Sequence, residues 1–325
     1  MNKIQTKFAG LTLRNPMIIS SSGLTNTVAK NKKWGEAGAG AIVLKSLFEE
    51  QIILESQHEQ TNLDFHTEGA EYYTEYFKGH KLSEYLNLIK ESKRVAGIPI
   101  IASINCYGDS SWVDFAKEIE AAGADALEIN LLALPSSTDY KYGDFEQYHV
   151  AVLKHLLQVV TLPIIMKLGR NLTSPVTLAK QLREEGASAI VLFNRYYQPD
   201  IDIDKLTHVS GPVLSSADDL TEPLRWTGLI SGSVNIDLAI SGGVATPESV
   251  IKAILAGASA VEVCSILYRE GASFIEESLS LLNDWMNEKE FNSIASFKGK
   301  LNVQNVEGVN RFERSQFIRY FTDRK

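Results

Sequence analysis

The chain has 325 residues, 44% of them hydrophobic and 22% charged, with a formal net charge of −8. That length is ordinary for a single α/β barrel, and acidity without a concentrated Lys/Arg stripe argues against nucleic-acid binding. Two isolated cysteines, Cys106 and Cys264, six histidines without metal-ligand spacing, and no uninterrupted apolar run of roughly 18 residues exclude a disulfide framework, a dedicated metal centre and a membrane span.

In chain order, "KFAGLTLRNP", with Gly10 between two alternating runs, predicts a hairpin that plugs one end of a barrel. "PMIIS" from Pro16 reads as the first buried strand. "EAGAGAIVLKS" from Glu36 then introduces a phrase that recurs as "AAGADALEIN" from Ala121, "EEGASAIVLFN" from Glu184 and "LAGASAVEVCS" from Leu255. Each is a helix end closed by glycine (Gly38, Gly123, Gly186, Gly257) followed by a buried parallel strand. "IPIIASIN" from Ile98, "LPIIMKL" from Leu162 and "NIDLAISGG" from Asn235 complete eight strands, and "SSWVDFAKEIEAA" and "TPESVIKAILAG" show helical spacing between them. The prediction is a (β/α)8 barrel forming one domain over residues 1–325, in the cytoplasm. The alternative, a doubly wound open sheet, lacks its GxGxxG signature.

Two stretches exceed what a barrel needs: Phe48 to about His80, and "YYQPDIDIDKLTHVSGPVLSSADD" from Tyr196 to Asp219. Both follow strand C-termini, where long loops form active-site lids.

The strand C-termini collect Ser20, Ser21 and Ser22; Lys45 and Ser46; Ser103 and Asn105; Glu128 and Asn130; Lys167; Asn194; Gly242 and Gly243; Cys264 and Ser265. Lys45 and Lys167 end apolar runs, where an ammonium requires an anionic or acceptor-rich partner. Gly242, Gly243 and Ser265, on the last two strands, suit a phosphate cradle. A phosphate on one side of the rim and amides with lysines on the other fit a flavin mononucleotide. Lys167 is placed at the N1/O2 edge of the ring, Asn105 and Asn130 along that edge, and Lys45 with Ser21 toward N5.

With those residues in place, the chain resembles the dihydroorotate dehydrogenase family over nearly its whole length, more closely its soluble class 1 branch. The resemblance rests on "GLTLRNPMIISSS", "AGAGAIVLKS" with Lys45, "GADALEINL" with Asn130, "PIIMKL" with Lys167, "SGGV" with "VCSIL", and "FNSIASFKGKLN" from Phe291. It implies FMN, bound by Ser20, Ser21, Lys45, Ser46, Asn105, Asn130, Lys167, Gly242, Gly243, Cys264 and Ser265. It further implies substrate amides at Asn130 and Asn194, oxidation of dihydroorotate to orotate in pyrimidine biosynthesis, and a homodimer. The family's loop after the fourth strand carries a cysteine or serine as base, whereas "NLLALPSS" puts Ala133 there if matched from Asn130 and Leu134 if matched from Pro135; neither accepts a proton. Ser136 or Ser137 substitutes only if the loop bends differently, and "NLDFHTEGAEYY" replaces the family's substrate loop after strand two. Arg195 and Tyr196 follow Asn194 where the family has small residues.

The resemblance is therefore to a dihydroorotate dehydrogenase-like subgroup, with Lys45 and Ser136 as the catalytic candidates. The competing readings are a flavin-binding protein without turnover and a Schiff-base aldolase barrel using Lys167. Soluble class 1 relatives pass electrons to fumarate, or to NAD through an iron–sulfur partner, and two cysteines cannot hold a cluster.

Overall fold

The computed structural model describes residues 3–48, 70–105, 111–196, 198–306 and 312; of 70–78 and 111–114 it describes the backbone alone. The chain opens with the antiparallel hairpin of β1 (Thr6–Phe8) and β2 (Leu11–Leu13). The barrel strands are β3 (Met17–Ile19), β4 (Ala41–Val43), β6 (Ile100–Asn105), β7 (Ala126–Asn130), β8 (Ile164–Leu168), β9 (Ala189–Leu192), β12 (Asp237–Ser241) and β13 (Ala260–Val263). A two-residue strand, β5 (Leu47–Phe48), adds to the edge of β6. The eight are parallel in the order β4-β3-β13-β12-β9-β8-β7-β6, and the pairing of β4 with β6 closes the cylinder. All eight coincide with the runs read from the sequence.

Helices fill the connections: α1 (Val28–Glu36), α2 (Ala70–Ala96), α3 (Ser111–Ala121), α4 (Asp144–Leu157), α5 (Pro175–Glu185), α6 (Thr221–Ser233), α7 (Glu248–Ala256), α8 (Ser265–Glu270) and α9 (Ser273–Glu288). Their ends follow local chemistry. The Thr27 hydroxyl accepts from Lys30 N–H at the start of α1, and Ser174 does the same for Thr177 ahead of Pro175 in α5. Gly186 closes α5 at φ 108°, a backbone angle that other residues reach only at a cost.

Alternation along each strand divides the interior. Ile18, Ala41, Val43, Ile101, Ala126, Ile165, Ala189, Val191, Ala239 and Ala260 face inward and meet Phe8 and Leu13 of the hairpin, while their neighbours face the helices. Ala9 N–H donates to Asp237 Oδ2 and Thr6 Oγ1 to Ser259 O, which fixes the hairpin at the N-terminal ends of the strands. The plug leaves only the opposite mouth for a ligand.

The two long stretches are more structured than loops. Residues 49–69 of the first lie outside the described part, but from Ala70 onward it is the start of the 27-residue α2. The second contains an antiparallel hairpin, β10 (Pro199–Asp202) with β11 (Thr207–Ser210), and a 3-10 turn over Ala217–Leu220. The tail read as "FNSIASFKGKLN" packs Phe291 on Phe297 at 5.2 Å between centroids, with Trp285 against both. None of the helices among the described residues is long and apolar enough to cross a membrane.

His149 of α4 is completely buried, its Nδ1 sharing a 2.7 Å hydrogen bond with Phe145 O. Burial pushes its pKa below the ordinary 6.5, so the neutral ring is the native form. The unfolded chain binds a proton more readily. The contribution is therefore whole above pH 6.5 and is lost as pH falls beneath it. His149→Gln is expected to flatten the fall in melting temperature between about pH 7 and pH 5 relative to wild type; parallel curves would rule this out.

Candidate active site

The parallel register puts three predicted residues on one level of the open mouth: Asn105 pairs with Asn130, and Asn130 with Lys167. All three are buried and point inward by strand alternation. Asn194 joins them from the end of β9, its Nδ2 donating to Asn130 Oδ1 at 2.6 Å. The two amides assigned to substrate binding thus form one unit.

One level deeper the interior is ionic. Lys167 Nζ lies 2.6 Å from Glu262 Oε2, 3.2 Å from Ser20 Oγ and 3.4 Å from Glu128 Oε1, so all three of its N–H groups are engaged inside the barrel. Ser20 Oγ also donates to Glu262 Oε2 at 2.9 Å. From Glu128 a line of hydroxyls runs to the rim: Ser103 Oγ donates to Glu128 Oε1 at 3.3 Å, Ser46 Oγ lies 2.8 Å from Ser103 Oγ, and Ser21 Oγ lies 2.9 Å from Ser46 Oγ. Tyr85 OH of α2 ties this line to the backbone at both Ser103 N–H and Ser103 O. The network accounts for Glu128, an acid inside an otherwise apolar run.

Burial and the two carboxylates act oppositely on Lys167; the carboxylates prevail, and its pKa rises above the ordinary lysine value. The Glu128 carboxyl is pushed well above the carboxylate range by burial and by Glu262, whereas Lys167 holds Glu262 below it. An ammonium held between two carboxylates is a poor Schiff-base nucleophile, which counts against the aldolase reading.

The far side of the rim carries the two glycines. Gly242 and Gly243 have φ of 94° and 72°. A Cβ on Gly243 would stand 2.0 Å from Leu220 N, so glycine lets the 3-10 turn over Ala217–Leu220 lie directly on this strand end. Ser215 stitches the cradle together, its Oγ accepting from Gly243 N–H at 3.3 Å and its N–H donating to Ser265 Oγ at 2.9 Å. Cys264, between Ser265 and the ionic layer, has its thiol pushed up by burial and is no ready nucleophile.

Residues that the sequence reading did not single out complete the site. Glu262 is one. Arg170 is another: it follows the β8 lysine by three positions, its Nη2 lies 3.7 Å from a Cβ placed on Gly242, and its buried Nε has no hydrogen-bond partner among the described residues. Arg269 Nη2 donates to Ser215 O at 3.1 Å and braces the cradle. Tyr196, read from the sequence only as standing where the family has a small residue, also reaches the site. Its hydroxyl donates to Ala133 O at 2.8 Å, and Asn171 Nδ2 donates to the same oxygen at 3.0 Å, pinning the loop after β7. On that loop Ala133 is half-buried, Leu134 is 65% exposed, and Ser136 and Ser137 are exposed. Ser136 therefore stands apart from the polar row, and Ser137 Oγ accepts from Asp139 N–H. Lys45 lines a cavity of 390 Å³ between the β4 end and α2, with Tyr85 and Lys81 on its walls.

The barrel agrees with the comparisons to known proteins. Residues 3–286 match the family model described as dihydroorotate dehydrogenase. Similar curated proteins include three named dihydroorotate dehydrogenase B (NAD(+)), catalytic subunit. The one from Thermoplasma volcanium is 27% identical over 316 residues, covering 92% of this chain and 98% of its own. That from Methanocella arvoryzae is 29% identical over 298 residues (86% and 92%). That from Pyrococcus furiosus is 25% identical over 315 residues (91% and 98%). With the match spanning almost every barrel element, the chain belongs to the dihydroorotate dehydrogenase family.

Proposed function

We propose that this protein is an FMN-dependent oxidoreductase acting on a CH–CH bond, related to dihydroorotate oxidation in pyrimidine biosynthesis but impaired in removing the substrate proton. The observation that carries the flavin assignment is Arg170. Its Nη1 is paired with Asp219 and Glu222 at 3.6 and 3.4 Å and its Nη2 donates to Asp219 O, but its buried Nε–H has no partner among the described residues and the guanidinium stands beside the left-handed backbone of Gly242 and Gly243, a combination that suits a phosphate monoester. In this reading Gly242, Gly243, Ser265 and Arg170 hold the phosphate. Ser20, Ser21, Lys45, Ser46, Asn105, Asn130, Lys167 and Cys264 line the ring, and Asn130 with Asn194 orient the substrate over it. FMN, when bound, accepts hydride at N5; the protein contributes orientation and electrostatics. Lys45 is the candidate catalytic cation, and Ser136 the remaining hydroxyl on the base loop.

The test is direct. Protein purified with added FMN is expected to stay yellow through dialysis and to bleach with dithionite, and Arg170→Ala is expected to lose the flavin. A colourless wild-type protein would sink the assignment. The second reading, flavin binding without turnover, is favoured by Ala133 and the exposed Leu134 on the base loop.

The relatives' name, a catalytic subunit of an NAD(+)-linked enzyme, points to electron exit through another polypeptide, since two cysteines leave this chain no cluster of its own. We further assign the whole chain to one cytoplasmic barrel domain that forms a homodimer. Self-association is supported by the β10–β11 hairpin, which exposes Ile201, Ile203, Leu206 and Val209 on its two faces and its turn. Equilibrium sedimentation is expected to give twice the chain mass, and Ile203→Lys with Leu206→Lys to shift it toward the monomer; a monomeric wild type would refute the dimer.

A further inference from the structure

The interior layer beneath the candidate flavin site holds more charge than packing calls for. Barrel interiors are normally filled by branched apolar side chains. Here Glu128, Glu262 and Lys167 meet in one layer, each at most 4% exposed. One carboxylate would neutralise the ammonium. Two leave a net negative charge in a medium that cannot solvate it, and the group responds by retaining a proton. Glu128 is the member that keeps it, through burial and the nearby Glu262, and it shares it with Glu262, which remains ionised against Lys167.

Among the described residues, the contacts of this group add no further charge. Ser20, Ser46 and Ser103 bring hydroxyls. Tyr85, facing Glu128 from α2, is held un-ionised by burial, and the Cys264 thiol is likewise kept neutral by burial. The balance is therefore set by two carboxyls, one ammonium and one proton.

We infer that Glu128 and Glu262 form a charge buffer for Lys167: two carboxyls sharing one proton, either able to serve as counter-ion, hold the ammonium at zero net charge beneath the ring edge. This rests on the flavin reading for its consequence. Lys167 has its N–H groups engaged by Glu262, Glu128 and the neutral Ser20 hydroxyl, so the positive charge available to an electron-rich flavin is set by the carboxyls, not by the lysine alone. Removing one carboxyl changes little, because the other gives up the shared proton and takes over at Lys167. Removing both unmasks the cation. Glu128 and Glu262 are positioning residues, acting on the ring through Lys167.

The experiment is a double-variant cycle on the FMN-loaded protein, read by sulfite, whose reversible adduct at flavin N5 is favoured by positive charge near N1. Glu128→Gln and Glu262→Gln singly are expected to change sulfite affinity within about threefold, and the pair together to tighten it at least about tenfold, a non-additive pattern. Infrared spectroscopy of the protein without flavin supplies the second measurement: wild type is expected to show one buried carboxylic-acid C=O band at neutral pH, absent in each single variant. A single variant as strong as the pair, or additive effects, overturns the buffer, and so does a wild type without the band. Failure to take up FMN would overturn the functional reading instead, and the infrared band then decides the proton sharing alone.

Discussion

Lys167→Ala is expected to be the most damaging single change in the barrel, destabilising it by about 3–5 kcal/mol and lowering its melting temperature by on the order of 10 °C. The lysine is 4% exposed with Glu262 at 2.6 Å, so truncation strands an ionised carboxylate in an apolar interior. Loss of packing alone would cost similarly at every pH. Loss of the counter-ion would not: as pH falls, the stranded Glu262 carboxylate of the variant protonates and the deficit relative to wild type shrinks. Denaturant melts at neutral and mildly acidic pH distinguish the two. A deficit independent of pH would refute the electrostatic account, and flavin retained as in wild type on dialysis would count against Lys167 as a ring ligand.

The second large effect concerns the missing base. Loss of a general base costs a factor of about 10² to 10⁴, so wild-type flavin is expected to bleach slowly when mixed anaerobically with dihydroorotate. Ala133→Cys is expected to raise that rate by about 10²-fold or more, and Leu134→Cys to leave it unchanged. The structure separates the two alignments of the loop. Ala133 is half-buried and its carbonyl is pinned by Tyr196 and Asn171, whereas the Leu134 side chain is 65% exposed. Because a free thiol ionises near pH 8.5, the gain at position 133 should grow as pH approaches that value. No gain at Ala133 with a gain at Leu134 would reverse the alignment. No gain at either would favour flavin binding without turnover.

The barrel was legible in the sequence because its signals are local. Gly38, Gly123, Gly186 and Gly257 all adopt the positive φ that a glycine-closed helix end needs, and each apolar run has the length of one buried strand. The rim residues were legible for the same reason: a polar residue ending an apolar run is visible at once. Glu262 escaped because an acid one residue before a strand end looks like any other alternation until the strand opposite it is known. Its meaning lies in Lys167, 95 positions away. Arg170 escaped likewise, since it sits in a strand-to-helix turn; Tyr196 was noticed as a departure from the family, but its grip on Ala133 was not, because no periodicity fixes where a side chain of a long insertion points. The helical start of α2 was hidden by its Glu-, Tyr- and Thr-rich composition, which reads as loop; α1 packs against the far end of that helix, at Ser92 and Ala96.

The insertion after β9 has a mechanical consequence. Arg195 clamps the carbonyls of Pro212 and Val213 at the base of the β10–β11 hairpin, and the adjacent Tyr196 grips Ala133 on the loop after β7. Two consecutive side chains thus tether the outer hairpin and the loop after β7 to one short piece of backbone, a mechanical linkage between the outside of the barrel and its open mouth.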